Sequence, residues 1–550
     1  MTNPPIVVPE WQRNFSWTTS EAETFWQDIS NFDGTYPGDN ILDQEYFLGS
    51  IVIVDNNVSH LLLDGQQRLA TSAILISVIR DYLARYNQDA ATRVSTRYLT
   101  DFDDAQNRNT FKLTLNRYDR DFFRREILEN RDAAYLEPAP TLESHRLIRR
   151  VRNFFNETFE RKYNELGNPA GFHQWTLRML QVLIGHVSTV AVISEDEDNA
   201  AAVFETLNDR GIGLSTPDLL RNLLLRRARD DSREEVIDLW REILEIEGDT
   251  TLKTFLRHFW LSRQGDVKAQ ALYKEIKTKI VAENIDSLEF SRQLRDSSVI
   301  YRDFVAGQDD NDEELSSLLT DIKELGASVL YPAVLSAYET GEIEDVKDLV
   351  SALINAFVRH NTIGGLENSK LESVVYTLAK SLRENLNFEA AVDALRQISP
   401  NDDRFIADFA VASITRRASA RYLLKNLEHA MRATRELDVA PPNRVQVEHV
   451  YPQTPAAGER WPNHAATINR LGNLTLLARK LNAAIRNGNF AAKLPSYQIS
   501  ELLLTQALLP YGEWNEANIN ARQEAMSQLA RNIWSFPNIQ EAEAVADANG

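Results

Sequence analysis

Near the C-terminus four side chains occur in a fixed order that few folds accommodate: Glu448-His449 in VEHVYPQTP, then Asn473 and Asn482 in LGNLTLLARKLN. A His beside a carboxylate opens a hairpin, an Asn lies on the return strand, and an oxygen donor follows nine residues later on the next helix. That is the order of a one-metal phosphodiesterase site. Hydrolysis of a phosphodiester needs a base to activate water and a cation to offset charge on the phosphate and leaving oxygen. His449 suits the base, because an imidazole titrates near neutrality. Glu448 points to the opposite face of the extended segment and is the candidate hard-oxygen ligand. Asn473 is expected to orient the imidazole through its amide oxygen, and Asn482 to complete the metal shell. The bland alternative is a loop His beside a surface Glu, with two turn-forming Asn.

Composition bounds the rest. A chain of 550 residues should hold two to four domains. With 43% hydrophobic and 25% charged residues it has the balance of an ordinary soluble globular protein. No apolar run reaches transmembrane length, and MTNPPIVVPEW lacks the charged and apolar regions of a signal peptide, so no membrane partner is expected. Zero cysteines exclude disulfides and thiolate catalysis and fit a cytoplasmic setting. The net charge of −20 argues against indiscriminate coating of DNA. Charge is nonetheless uneven: Arg404 to Ser500 carries 14 Lys/Arg against 6 Asp/Glu, a local +8 that leaves −28 elsewhere. A basic DNA-facing end on an acidic body would look like this. So would a solvated imbalance with no partner.

Residues 1–230 mix strand and helix signals. A helix is expected over Thr18 to Ile29, capped by Thr19 or Ser20. EYFLGSIVIVDNNVSHLLLDGQQR reads as strand Phe47 to Val54, turn Asp55-Asn56-Asn57 and strand Ser59 to Leu63, followed by a helix from Gln66 to Tyr86. A strand at Phe111 to Leu115 and a helix from Leu142 to Tyr163, striped by Leu147, Val151, Phe154, Phe155 and Phe159, come next. Val187 to Ile193 is a β-branched run typical of a buried strand. Helix signals dominate from Thr216 to Leu437, with acidic loops at GQDDNDEE and GEIED, until Pro441-Pro442 opens the way into the hairpin. The domains expected are therefore 1–230, 231–438 (helical) and 439–550.

The second chemical cluster is Asp64-Gly65-Gln66-Gln67-Arg68, where an apolar strand turns directly into a helix. Free backbone N–H groups and the positive dipole end make such a junction an anion site, and Arg68 adds a bidentate fork. Asp64 could orient a cation or water, and Gln66 and Gln67 could bind phosphate oxygens. A helix start capped by Asp is the plainer reading. Upstream, Gln12 and Arg13 sit within an aromatic frame of Trp11, Phe15 and Trp17, which either walls a base pocket or is simply core. In FETLNDRGIGLSTPDLLRN, Gly211 fits a helix C-cap and Ser215 an N-cap, while Asn208 and Arg210 either face a ligand or fasten the turn. Arg221, Arg226, Arg227 and Arg229 either contact DNA or are solvated. His60, His145, His173, His186, His258, His360 and His429 have no ligand-spaced partners, and nothing assigns His464.

Val447 to Lys493 resembles the HNH (ββα-metal) nuclease domain of GmrSD-type, modification-dependent restriction enzymes. The commonest HNH pattern ends in His, where this chain has Asn482; that exchange suits Mg²⁺ or Mn²⁺ better than zinc. VPEWQRNFSW, LGSIVI, DGQQRLAT and FETLNDRGIGLSTPDLLRN occur in the order found in the ParB/sulfiredoxin-like N-terminal domain of the same family, which usually has further residues ahead of the first motif. The resemblance implies an α+β, predominantly helical protein with a ParB/sulfiredoxin-like N-terminal domain, a helical middle and a C-terminal HNH nuclease. It implies a metal-dependent DNA endonuclease, cleaving or nicking, that defends against modified phage or foreign DNA. The mark could be a glycosylated base or, as in SspE-like relatives, a phosphorothioate. It further implies that Gln12, Arg13, Asp64 to Arg68, Asn208 and Arg210 serve a nucleoside triphosphate (GTP, UTP, CTP or ATP), whose binding or hydrolysis regulates cutting. DNA and nucleotide are the expected partners, with a homo-oligomer or other defence proteins as further ones. The rivals are a nucleotide-dependent DNA sensor with an inert nuclease fold, and a helical scaffold in which both clusters are packing features.

Overall fold

A computed structural model gives the structure of residues 4–10, 12–30, 46–55, 59–103, 108–131, 135–195, 200, 216–246, 252–309, 311–385, 387–434 and 439–536. Two compact units result, Met1–Ala228 and Arg229–Gly550. The second contains both the helical middle and the C-terminal hairpin. Asn208, Arg210, Gly211, Ser215, Trp11, Asn56 and Asn57 lie outside the described residues.

The first unit is built on a five-stranded sheet. Its strands are β1 (Ile6–Val7), β2 (Tyr46–Asp55), β3 (His60–Asp64), β6 (Leu113–Thr114) and β7 (Val187–Ser194), ordered β6-β1-β3-β2-β7. β2 and β3 pair antiparallel as the hairpin expected from sequence, whereas β1 joins β3 and β6 in parallel and β7 joins β2 in parallel. The uninterrupted apolar run of β2 has a simple cause: Ile51 and Ile53 enter one core cluster while Val52 and Val54 enter another, so both faces are covered. β7 departs from expectation. It is an edge strand among the described residues, with Val190 and Ile193 55% and 59% exposed, because only its β2 side is paired. The expected strand over Phe111 to Leu115 is also divided. β5 (Arg108–Phe111) pairs with β4 (Thr100–Asp103) in a separate ribbon, and β6 returns to the main sheet.

Helices α1 (Thr19–Ser30), α2 (Gln66–Ala84), α3 (Gln88–Val94), α4 (Arg117–Phe123), α5 (Glu143–Leu166) and α6 (Pro169–Gly185) complete this unit. The cap of α1 lies one residue before the expected pair: Thr18 Oγ1 accepts from Ser20 N at 3.1 Å, and Glu21 reaches back to Thr18 N at 2.7 Å. Along α5, Val151, Phe155 and Phe159 recur every fourth residue and are wholly buried. They pack with Phe25 of α1, Val78 and Tyr82 of α2 and Phe172 of α6 in one core. Tyr82 and Phe159 stack with centroids 5.3 Å apart, adding ring-specific attraction to area burial.

The second unit is helical from Arg233–Ile243 through Arg417–Ala430. The acidic stretch at Gly307 has a local use, since Asp312 caps helix Glu313–Leu325 by accepting from Leu315 N at 2.8 Å. Among the helices, Glu339 gathers Arg263 at 2.8 Å and Arg383, so three charges share one polar node inside the bundle. After Pro441-Pro442 the chain enters β8 (Val445–His449), which pairs antiparallel with β9 (Leu474–Ala478) in register Val445↔Ala478 to His449↔Leu474. A short helix, Arg479–Ile485, follows β9 directly, completing the ββα order read from the sequence. The last helix, Glu516–Ile533, packs back on Asp402–Val411, where Trp534 is enclosed by Phe405, Phe409 and Tyr422.

Candidate functional site

His449 is the last residue of β8, and strand alternation turns it away from its neighbour. Glu448 points inward, 5% exposed, and His449 is half-buried at the strand exit. The imidazole Nε2 lies 3.4 Å from Asn469 Oδ1 and 3.3 Å from Gln453 Nε2. Hydrogen bonding to the Asn469 oxygen requires a protonated Nε2 and leaves Nδ1 basic; bonding to the Gln453 amide requires the reverse. Burial lowers the His449 pKa from its ordinary value; the Asn469 bond opposes this, and nearby Arg417 and Lys493 add to it. A neutral imidazole able to accept a proton is the result.

Glu448 is not free. Its Oε1 accepts from Lys493 Nζ at 2.6 Å and from Tyr497 OH at 3.3 Å. Lys493 is 1% exposed and donates also to the backbone oxygens of His449 at 2.5 Å and Val450 at 3.2 Å. Burial pushes the carboxyl up and the ammonium down, and their mutual contact opposes both shifts. Lys493 and Tyr497 were invisible as partners in the sequence: AAKLPSY reads as a polar helix face, and only the fold brings it beneath β8.

Asn473 does other work than orienting the imidazole. It is wholly buried; its Oδ1 accepts from Tyr451 N at 2.7 Å and Trp514 Nε1 at 3.0 Å, and its Nδ2 donates to Tyr451 O at 3.1 Å and Ile468 O at 3.0 Å. It therefore clamps the two ends of the 450–473 loop, and Asn469 and Gln453 are the residues at the imidazole instead. His464, unassigned from sequence, meets Tyr451 OH through Nδ1 at 3.0 Å and so belongs to the same scaffold. Asn482 is half-buried on the short helix after β9, its side chain without a hydrogen bond among the described residues.

Oxygen donors for Mg²⁺ or Mn²⁺ are present in type but not in arrangement. Glu448 is occupied by an ammonium group, Asn473 by the loop, and only Asn482 stands unengaged. Among the described residues no group of three or more His, Asp or Glu side chains is placed to hold a metal ion.

The N-terminal cluster is similarly closed on itself. Gly65, at φ +94°, makes the turn from β3 into α2, and a Cβ there would collide with Ile51. Asp64 does not cap α2; its Oδ2 pairs with Arg68 Nη2 at 3.1 Å. Arg68 lies over Gly49, itself at φ +112°, and its Nη1 reaches Leu48 O at 3.4 Å. LGS and DGQQR are thus two halves of one contact. Gln67 Oε1 accepts from Ser16 N at 2.9 Å, Gln67 Nε2 donates to Asn14 O at 3.2 Å, and Gln66 Nε2 donates to Arg13 O at 3.0 Å. Gln12, buried, donates to Leu63 O at 2.8 Å. Gln66 and Gln67 therefore fasten residues 13–16 to α2, and Gln12 fastens the same segment to β3. Of the polar pair upstream, only Arg13 is exposed.

Sequence reasoning missed Asn116 and Asp119 here. Asn116 Nδ2 donates to Gln12 O at 2.9 Å; Asp119 accepts from Phe15 N at 2.7 Å and Ser144 Oγ at 2.6 Å. Burial raises the Asp119 pKa, against those hydrogen bonds. The cavity enclosed by Arg13, Phe15, Gln66, Gln67 and Asn116 is about 10 Å³, the room of a single water.

Two family matches accord with this division. The description "GmrSD restriction endonuclease, N-terminal domain" matches residues 2–225, and "GmrSD restriction endonucleases, C-terminal domain" matches residues 399–529. No curated protein matches the chain.

Proposed function

Because the chain belongs to the GmrSD family of restriction endonucleases, we propose that it cuts or nicks foreign or modified DNA at His449, under control of a nucleoside triphosphate in its N-terminal unit. The family implies DNA as the substrate. The observation that carries it is His449: a neutral, half-buried imidazole at the exit of β8, beside a basic stretch, on a ββα unit. In that role His449 accepts the proton of a water attacking phosphorus, and the ester oxygen leaves. A divalent ion, Mg²⁺ or Mn²⁺, would offset the phosphate charge. Asn482 is its free donor. Glu448 would first have to exchange Lys493 for it. No helix among the described residues is long and apolar enough to cross a membrane.

For the nucleotide, Arg13 is exposed at the Gln66-Gln67 clamp, its backbone oxygen accepting from Gln66, and Asp64, Gly65 and Arg68 form the strand-to-helix turn. Gln12, Asn208 and Arg210 complete the proposed set on family resemblance alone. The rival is a nucleotide-dependent DNA sensor with an inert nuclease fold, and the Glu448–Lys493 pair is the observation in its favour.

Modified and unmodified phage DNA, incubated with the protein, Mg²⁺ or Mn²⁺ and each triphosphate, decides between them. Cleavage lost by at least about 100-fold in His449→Ala, the loss typical of removing a general base, with nucleotide binding unchanged, is the expected result. Intact DNA under every condition establishes the sensor instead.

A further inference from the structure

The chain that leaves His449 runs straight into the wall of a cleft. Val450 and Tyr451 line it, followed by Pro452, Trp461, Phe490 and Trp514, and it encloses about 490 Å³. Pockets that receive small organic groups are of this size and this mix of aromatic wall and sparse polar rim. Two ring pairs make the walls. Tyr451 and Trp461 lie face to face, centroids 3.9 Å apart and planes 7° from parallel; Phe490 and Trp514 stack at 5.4 Å and 24°. Tyr451 cannot swing away, because its hydroxyl accepts from Trp461 N at 2.9 Å and meets His464 Nδ1 at 3.0 Å. Trp514 is held likewise by Asn473. Trp461 is the partly exposed ring of the cleft, and Tyr451, Phe490 and Trp514, between 4% and 8% exposed, form its fixed backing. Glu459, Arg460, Asn489 and Glu513 at the rim supply donors and acceptors.

We propose that this cleft takes an unpaired nucleobase of the strand presented to His449. The identity of the ligand rests on the nuclease reading, and two features then select a base. Val450 and Tyr451, which follow His449 directly in the chain, both line the cleft. Flat apolar walls bordered by an arginine suit a planar, hydrogen-bonding ring, and bases drawn from a stack are read by aromatic contact and rim hydrogen bonds.

The test uses the full chain carrying His449→Ala, in EDTA, so that nothing is cut. Binding of a fluorescein-labelled thymidine oligonucleotide is compared, by anisotropy, with that of an abasic oligonucleotide of equal length. Stacking against one aromatic side chain corresponds to about a tenfold preference for the base-bearing strand. That preference is expected to vanish on Trp461→Ala, to persist in Trp461→Phe, and to vanish again when Ala491→Trp fills the cleft. Equal affinity for the two strands, or a preference that survives both Trp461→Ala and Ala491→Trp, overturns the proposal. If Trp461→Ala does not fold, Ala491→Trp decides alone. Cleavage by the unsubstituted protein is followed in parallel. A protein that cuts DNA yet ignores its bases refutes the cleft and spares the nuclease; one that prefers bases yet never cuts refutes the nuclease and spares the cleft.

Discussion

Lys493 shows how much a single buried cation can determine. It neutralises Glu448 and holds the carbonyl oxygens of His449 and Val450, so the direction in which β8 delivers its imidazole depends on it. Removing one member of a buried pair leaves the other charged and unsolvated, at a cost of about 3–5 kcal/mol. Lys493→Met should therefore destabilise the protein by that amount in urea unfolding, and Glu448→Gln with Lys493→Met should recover most of it. His258 carries a pH consequence. Burial lowers its pKa from 6.5 to about 3, with Arg257 adding to the effect, while Nδ1 meets Tyr301 OH at 2.6 Å. The unfolded chain then takes up a proton more readily than the folded one between those values. Its stabilising effect is complete above about pH 6.5 and is lost as pH falls, about 2 kcal/mol by pH 5. Thermal melts of His258→Gln should decline less steeply over that window than those of the parent.

At the scale of elements, Gly65 and Gly49 permit the turn on which β2, β3 and α2 meet. Their positive φ values, and the Ile51 and Arg68 atoms where a Cβ would lie, make alanine costly at both positions, by about 2 kcal/mol or more. Gly65→Ala should lower the melting transition of the N-terminal unit in calorimetry. The β2–β3 hairpin, α2, the α5 stripe and the ββα order were legible because each is written in local periodicity and turn chemistry. β7 was legible as a strand but not as an edge, since a β-branched run looks the same whether one or two neighbours pair with it. Strand alternation, read from the sequence, placed Glu448 and His449 on opposite faces, and Glu448 is the inward one. The tasks of Asn473 and Gln67 were not legible. Their partners, Trp514 for the one and Ser16 for the other, stand 41 and 51 residues away and are chosen by packing.

For the whole molecule, the decisive quantity is the contrast between a −20 chain and its +8 C-terminal stretch. In the hairpin region Arg444, Arg460, Arg479, Lys480 and Arg486 are exposed, whereas Lys493 is consumed internally. Affinity for duplex DNA should fall with salt, and Arg479→Ala with Lys480→Ala should reduce the slope of log affinity against log salt by about 0.9 per residue removed. An unchanged slope would place the DNA elsewhere.

The closing helix imposes a timetable. Arg522 donates to the carbonyls of Gly472 and Leu474, both at 2.7 Å, and Gln523 accepts from Gly472 N at 3.1 Å while donating to Phe409 O and Ala412 O. Synthesis must therefore reach Arg522 and Gln523 before the return strand acquires its anchors. A chain ending at Glu513 would carry His449 on a ribbon without those anchors, and limited proteolysis of it should show rapid cutting within residues 450–473.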